Sequence, residues 1–329
     1  MPHSQAGAPT AREAARKLAE ARRLLDHSRQ LLARAPRHRR ASSYILTGRW
    51  KTAENALESN RERLRGAHGV VAHGLGFRVR DGIETDEVCV VVFVRKKITL
   101  RTLGRQGYTL VPPHLYHGKS RVATDVVRLG PLKPQAGLES IAPVAGGEFG
   151  TIGALAFDAD TRERVAITAM HVSGLKEFGP TAFDQGIPFS LPSGTGREDG
   201  RLVFGTSTGI DAAKVILEDP DSVLAPLPVA DVRPISHDGN IPVHLFGAVS
   251  GFINGVVKYL KVDDAEDRLI ETLLVDIPTK HGDSGAGLVD NSNFLIGFLF
   301  GLAPTDLAAG LRVFCPADLV MSRLGCTMQ

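Results

Sequence analysis

From about residue 134 to Leu324 the chain is a succession of short apolar runs, each broken by Gly, Pro, Asp or Ser. The breaks recur at roughly 8–12-residue spacing, too close for helices and suited to the strands of a β-sandwich or barrel. The most apolar run, Phe294 to Ala303, spans ten residues and is interrupted by Gly297 and Gly301. A membrane span needs about 18 or more apolar residues, so this run reads as a buried strand. Near the end, Pro316 opens a helical stretch through Leu324, in the position where proline is tolerated.

The chain before this region has a different texture. Leu18, Leu25 and Leu32 fall on one helical stripe, and Trp50, Ala53, Leu57 and Leu64 fall on a second. Pro36 and the basic run Arg37-His38-Arg39-Arg40 separate them, which predicts a helical hairpin over residues 1–66. These 66 residues hold 15 Lys+Arg against 6 Asp+Glu, while the remaining 263 hold 24 against 30. That asymmetry fits either a solvated helical face or a surface for an acidic partner. A protein partner bound through residues 10–65 is favoured over nucleic acid or anionic membrane, because Tyr44 and Trp50 are the segment's only aromatics for stacking. Residues 67–133 read as a small α+β domain. Val88-Cys89-Val90-Val91-Val92-Phe93-Val94 is dense in β-branched residues, as in a central strand covered on both faces. Gly130-Pro131-Leu132-Lys133-Pro134 reads as a linker to the third region, 134–329.

Apolar residues at 43% and charged residues at 23% exclude a disordered or fibrous chain. The opening residues, MPHSQAGAPTAREAARK, have no apolar core after their charges and do not read as a secretory signal. Three cysteines, Cys89, Cys315 and Cys326, argue against a disulfide framework and for a cytoplasmic location. His68, His73, His114 and His117 raise the question of a metal, but no cysteine or carboxylate completes a ligand set. They are expected to be solvent-exposed, and no cofactor is expected.

Three places in the last region carry chemistry. Ala166-Ile167-Thr168-Ala169-Met170-His171 is an apolar strand ending in a histidine. Gly209-Ile210-Asp211-Ala212-Ala213 places an aspartate at the start of a strand. Lys280-His281-Gly282-Asp283-Ser284-Gly285-Ala286-Gly287 sets a serine in a glycine-rich bend. A serine hydroxyl is a poor nucleophile without a base within hydrogen-bond reach. An imidazole can take that proton and return it to the leaving group, provided a carboxylate fixes its tautomer. The glycines let backbone N–H groups of Gly282 and Ser284 converge as an oxyanion hole. Asp231, in a proline-flanked loop, is the rival for the carboxylate; Asp211 is preferred.

The three motifs, in the order His, Asp, Ser, resemble those of the trypsin-like (chymotrypsin-fold) serine peptidases over about Gly146 to Leu324. The resemblance implies an all-β double β-barrel, with His171, Asp211 and Ser284 as the catalytic triad. Val172 and Lys280 stand where the animal digestive members usually carry disulfide cysteines, and Ala286 and Gly287 replace a glycine and a proline of the serine motif. The family's primary specificity position, six residues before the serine, is Pro278, with Thr279 beside it. The opposing wall is expected from Gly297, Leu299, Phe300 and Gly301, with Gly310 nearby. No carboxylate stands at Pro278, so an apolar or small side chain is expected before the cleaved bond, with Asp306 as the residue able to alter that. Val144-Ala145-Gly146-Gly147 echoes only faintly the activation terminus of secreted relatives, and Asp283 is expected to find an internal partner instead.

The middle region resembles the leader domain of bacterial trypsin-like proteins and of the plant narrow-leaf type, through Gly74-Leu75-Gly76-Phe77, Thr85 to Lys97, Val111-Pro112 and Thr124 to Val127. Together the resemblances imply an intracellular serine endopeptidase acting on protein or peptide substrates, and the arginine-rich N-terminal helices are expected to regulate or recruit it. The alternative is a chymotrypsin-fold binding module, latent until a partner shapes its oxyanion loop.

Overall fold

The computed structural model describes residues 44–98, 102, 109–131, 133–134, 141–143, 149–175, 179–190, 198–219, 227–236, 240–264, 268–305 and 310–328. The first expected helix, the basic link, Val144–Gly147 and Asp306 lie outside these residues.

The second apolar stripe forms helix α1 (Gly48–Arg65), which buries Trp50, Ala53, Ala56, Leu57 and Leu64. Their target is a layer of four strands: β1 (Val70–Arg80), β2 (Ile83–Val94), β3 (His114–His117) and β4 (Ser120–Arg128). In β2 the alternation of a strand sorts the apolar run onto two faces. Val88, Val90, Val92 and Val94 join the core under α1, while Cys89, Val91 and Phe93 join a second core on the other side. Cys89 to Phe93 are fully buried, as expected of a strand covered twice. Strand β2 pairs antiparallel with β1 and parallel with β4. His73 corrects one expectation: it is 1% exposed beneath α1, because its position in β1 faces the helix side. Burial, with the nearby charge of Arg61, pushes its imidazole down to about 4, so it is neutral.

Two rings of strands follow. In the first, β6 (Ala154–Asp158), β7 (Arg164–Thr168), β10 (Ala212–Leu217), β9 (Glu198–Thr206), β8 (Thr181–Ser190) and β5 (Ala142–Pro143) are neighbours in that order. Ile141, beside β5, bridges Gly150 on the approach to β6 and brings the ends together. In the second, β11 (Ile241–Gly247), β14 (Gly287–Asp290), β15 (Phe294–Ala303), β16 (Leu311–Pro316), β13 (Thr272–Asp276) and β12 (Gly251–Asp264) are consecutive. Pairing of β12 with β11 closes this ring. Helix α2 (Ala317–Leu324) and strand β17 (Cys326–Thr327) end the described chain, with β17 on β6. The chain is therefore mostly β, with two helices among the described residues. None of its described helices is long and apolar enough to cross a membrane.

The sheet runs across the boundary expected at residue 134. Strand β12 pairs with β13 through Val256 to Val262 and with β1 through Tyr259 to Asp264, so the four-strand layer continues the second barrel. The stretch read as a linker also pairs, with Lys133 and Pro134 opposite Leu302 and Gly301. Residues 42–329 form one compact unit.

A buried charge cluster locks α1 onto this junction. Register shifts in β12 mark a bulge, and within it Lys261 adopts a left-handed backbone of φ 51°. Lys261 donates to Glu54 of α1 at 2.5 Å, both side chains under 10% exposed. Arg61 of α1 pairs with Asp263. Burial pushes the Glu54 carboxyl up, but hydrogen bonds from Lys261 and Lys51 outweigh it and hold the group below its ordinary value. Removing one partner of a buried pair strands the other and typically costs about 3–5 kcal/mol. Glu58 and Glu271 remain 3.9 Å from Lys261 and soften the loss, so Glu54→Ala should lower stability by less than that, about 1.5–3 kcal/mol, in urea denaturation at neutral pH. Because the folded carboxyl is depressed, its contribution is complete above the ordinary value of 4.5 and is lost as pH falls through the lowered value. The gap between wild type and variant should therefore narrow in acid; a gap independent of pH would contradict the pairing.

Candidate active site

The histidine is delivered by packing on either side of it. After β7, residues Met170–Ser173 make a short 3₁₀ turn, capped by Gly174 at φ 75°. Met170 and Val172 are fully buried in the first barrel's core, which leaves His171 between them facing outward. The Ser173 hydroxyl donates to Met170 O at 2.7 Å and closes the turn.

Asp211 lies between the bridge Gly209–Leu269 and the start of β10. It is 5% exposed, and its backbone N–H reaches the Cys315 sulfur of β16 at 3.4 Å, tying it to the second barrel. Burial pushes the Cys315 thiol up to about 12, so the sulfur is an uncharged neighbour. One carboxylate oxygen, Asp211 Oδ1, accepts from His171 Nδ1 at 3.0 Å and from the His171 backbone N–H at 3.3 Å. A carboxylate only accepts. Nδ1 therefore carries the ring proton, and in the neutral imidazole the lone pair is on Nε2. Asp231 is elsewhere: it is exposed, opposite Phe294, and accepts from the next backbone N–H.

Ser284 is fully buried in the loop between β13 and β14. Its carbonyl accepts from Thr151 N at 2.7 Å, and its hydroxyl donates to Phe300 O at 3.5 Å. Phe300 also meets the imidazole, its ring edge-on to His171 with centroids 5.6 Å apart. One residue thus touches both the candidate base and the candidate nucleophile.

The expected oxyanion donors, Gly282 and Ser284, flank Asp283, whose carboxylate is 0% exposed. It accepts from Val249 N, Ser250 N, the Ser250 hydroxyl and Lys280 N at 2.5–3.1 Å. The turn between β11 and β12 thus supplies the internal partner expected for this aspartate. Gly282 sits at φ 102°, a region open to glycine. Its carbonyl accepts from the Thr151 hydroxyl at 2.7 Å, and that hydroxyl accepts from Ala248 N at 3.0 Å. Sequence reasoning missed Thr151; a lone threonine in a Gly-Thr-Ile-Gly stretch gives no sign that its hydroxyl braces a loop 131 residues away.

His171, Asp211 and Phe300 open onto a cavity of about 570 Å³, with His281 on its wall. Strand β1 reaches it through Val71 and Ala72, and the segment after β4 through Leu129 and Pro131. The expected substrate-binding residues divide. Phe300 faces the cavity, whereas Leu299 is buried in the second barrel's core and Gly297 packs on Phe314. Gly301 is buried opposite Val313, and Pro278 is exposed. Thr279 is 5% exposed and holds the guanidinium of Arg312, which sequence reasoning also missed. An arginine within the apolar strand Leu311-Arg312-Val313-Phe314-Cys315 was the available signal. Among the described residues no group of three or more His, Cys, Asp or Glu is arranged to hold a metal.

No protein-family profile matches the sequence, and no curated protein matches it. Solved structures similar to the chain include Thermobifida fusca protease A and Nocardiopsis protease. Each has 16% identity and a TM-score of 0.43, covering 59% of this chain and 97% of its own. Another is a Cellulomonas bogoriensis chymotrypsin, at 18% identity and a TM-score of 0.41, covering 59% of this chain and 98% of its own.

The serine loop fits its surroundings only without a side chain at one point. Gly285 has φ 88°, and a Cβ there would lie 2.4 Å from Thr168 Oγ1 and 2.5 Å from Thr151 O. Gly82 has φ 79° with open space around it. Gly82→Ala should cost about 1 kcal/mol of backbone strain, and Gly285→Ala at least about 2 kcal/mol, strain and clash together. Equal denaturation midpoints for the two variants would show that the loop is not held against the first barrel.

Proposed function

We propose that this chain is a serine endopeptidase that cleaves protein or peptide substrates through an acyl-enzyme. The observation that carries the reading is the hydrogen bond from His171 Nδ1 to the buried Asp211 carboxylate, 3.0 Å long, with the Ser284 hydroxyl and the imidazole meeting on Phe300. In this reading a rotation about the Ser284 side chain exchanges the Phe300 carbonyl for His171 Nε2. The imidazole takes the hydroxyl proton as Ser284 Oγ attacks the substrate carbonyl, and Asp211 stabilises the resulting imidazolium. The N–H groups of Gly282 and Ser284 receive the oxyanion, and His171 returns the proton to the leaving amine. Water then enters by the same steps in reverse order of partners and frees the serine. The three free cysteines favour a cytoplasmic setting, where thiols stay reduced.

One observation favours a second reading, a latent module of the same fold that acts by binding. Ser284 is fully buried, with its hydroxyl on a carbonyl of the second barrel. A fluorophosphonate probe separates the two. An endopeptidase is labelled; Ser284→Ala abolishes labelling and Asp211→Asn reduces its rate on the order of 10³–10⁴-fold. A folded wild-type protein that stays unlabelled, alone and with cell lysate, would leave the binding reading.

Recruitment or regulation through the N-terminal segment belongs to the same proposal, with its boundary moved. Helix α1 is part of the core, so the segment to remove is residues 1–41 rather than 1–66. The shortened protein should change its activity, its partners or its oligomeric state. If all three match the full chain, this segment has no regulatory part.

A further inference from the structure

Resting on the peptidase reading, the remaining question is which side chain the enzyme accepts before the cleaved bond. The second barrel holds a charge that its core does not need. Arg312 lies in β16 between β13 and β15, opposite Val275 and Leu302. It shares a strand face with Phe314, two residues on, which is fully buried in the barrel core. Arg312 itself is 9% exposed.

Its contacts are all to neutral atoms. Nε donates to Thr279 Oγ1 at 2.6 Å, Nη2 to Thr279 O at 3.0 Å, and Nη1 to Gly310 O at 2.8 Å. A guanidinium has five N–H donors. Two, one on each terminal nitrogen, are uncommitted among the described residues. No carboxylate of those residues forms an ion pair with it, although Asp276 and Asp283 are near enough to favour its charged form. Burial pulls the other way, which is the ordinary cost of a cation facing neutral partners.

The two residues that grip it are informative. Thr279 stands beside Pro278, which the resemblance to trypsin-like peptidases makes the primary specificity position, and Gly310 follows β15, the strand that the resemblance makes the opposite wall. Thr279 is also tied through a short loop to Asp283 and Ser284. We propose that Arg312 is a specificity-determining residue, a fixed positive charge that selects an acidic side chain, glutamate or aspartate, immediately before the cleaved bond. The two spare N–H groups match the two oxygens of one carboxylate, and the neutral clamp of Thr279 and Gly310 orients the fork without neutralising it. This replaces the apolar or small side chain expected from Pro278 alone.

Four peptides differing only in that residue, Glu, Gln, Leu or Lys, test the proposal on the full chain. Glu and Gln have nearly the same shape, so their ratio isolates the charge. The wild type should cleave the Glu peptide with kcat/KM at least tenfold above Gln, and above Leu and Lys. Arg312→Gln should bring the Glu/Gln ratio to about one, and Arg312→Lys should retain part of it. A merely structural arginine would lower all four rates together and leave the ratio unchanged. If Arg312→Gln does not fold, Thr279→Val, which removes the Nε anchor, should lower the same ratio. Preference for Leu or Lys in the wild type, or a ratio unmoved by the variants, overturns the proposal while leaving the peptidase reading intact. Absence of any Ser284-dependent cleavage, of these peptides or of a random peptide library, overturns the peptidase reading and this proposal with it.

Discussion

The contact between the two barrels at Thr151 and Ser284 is the constraint on which the rest of the candidate site depends. It is made of backbone: Thr151 N to Ser284 O at 2.7 Å, with Gly153 and Gly285 close enough that neither could carry a side chain. The hydroxyl of Thr151 extends the contact to Gly282 and Ala248. Backbone contacts tolerate little sliding, since each hydrogen bond weakens steeply with angle and distance. Once this seam is fixed, the histidine turn of one barrel and the serine loop of the other have little freedom of relative position.

The remaining positions follow from buried polar groups that must be satisfied. Asp283 would be costly to bury without its four donors, and meeting them joins the turn at Val249 and Ser250 to the serine loop. Asp211 is held from both barrels by two different groups, its carboxylate accepting from His171 on one and its backbone N–H donating to the Cys315 sulfur on the other. Each aspartate therefore acts as a fastener between segments distant in sequence. Surface ion pairs such as Arg80–Glu87 have no comparable part, because water competes for both partners.

How much of this was legible depended on whether the physics was local. The run Val88–Val94 announced its burial, because β-branched residues on successive positions leave no face for water. His171, Asp211 and Ser284 were legible as motifs, since each stands at the edge of an apolar strand. The stripe Trp50, Ala53, Leu57, Leu64 gave the helix but not its seat, and Glu54 on the same helix gave no hint of Lys261, 207 residues away. The continuation of the barrel sheet into β1 was not legible either. It depends on a bulge in β12 that turns Lys261 through a left-handed backbone, and nothing in Tyr259-Leu260-Lys261-Val262 marks that position. His73 was misjudged because its burial depends on α1 packing over β1, which the residues around the histidine do not show.

The junction of β12 with β1 has a consequence for how such a molecule can be processed. Stripping the four-strand layer from the second barrel would uncover a row of backbone donors and acceptors along Tyr259 to Asp264, together with the lysine and aspartate now neutralised by α1. An uncovered strand edge recruits other strands and promotes aggregation. Cutting between helix and barrel would therefore leave the second barrel with an aggregation-prone edge.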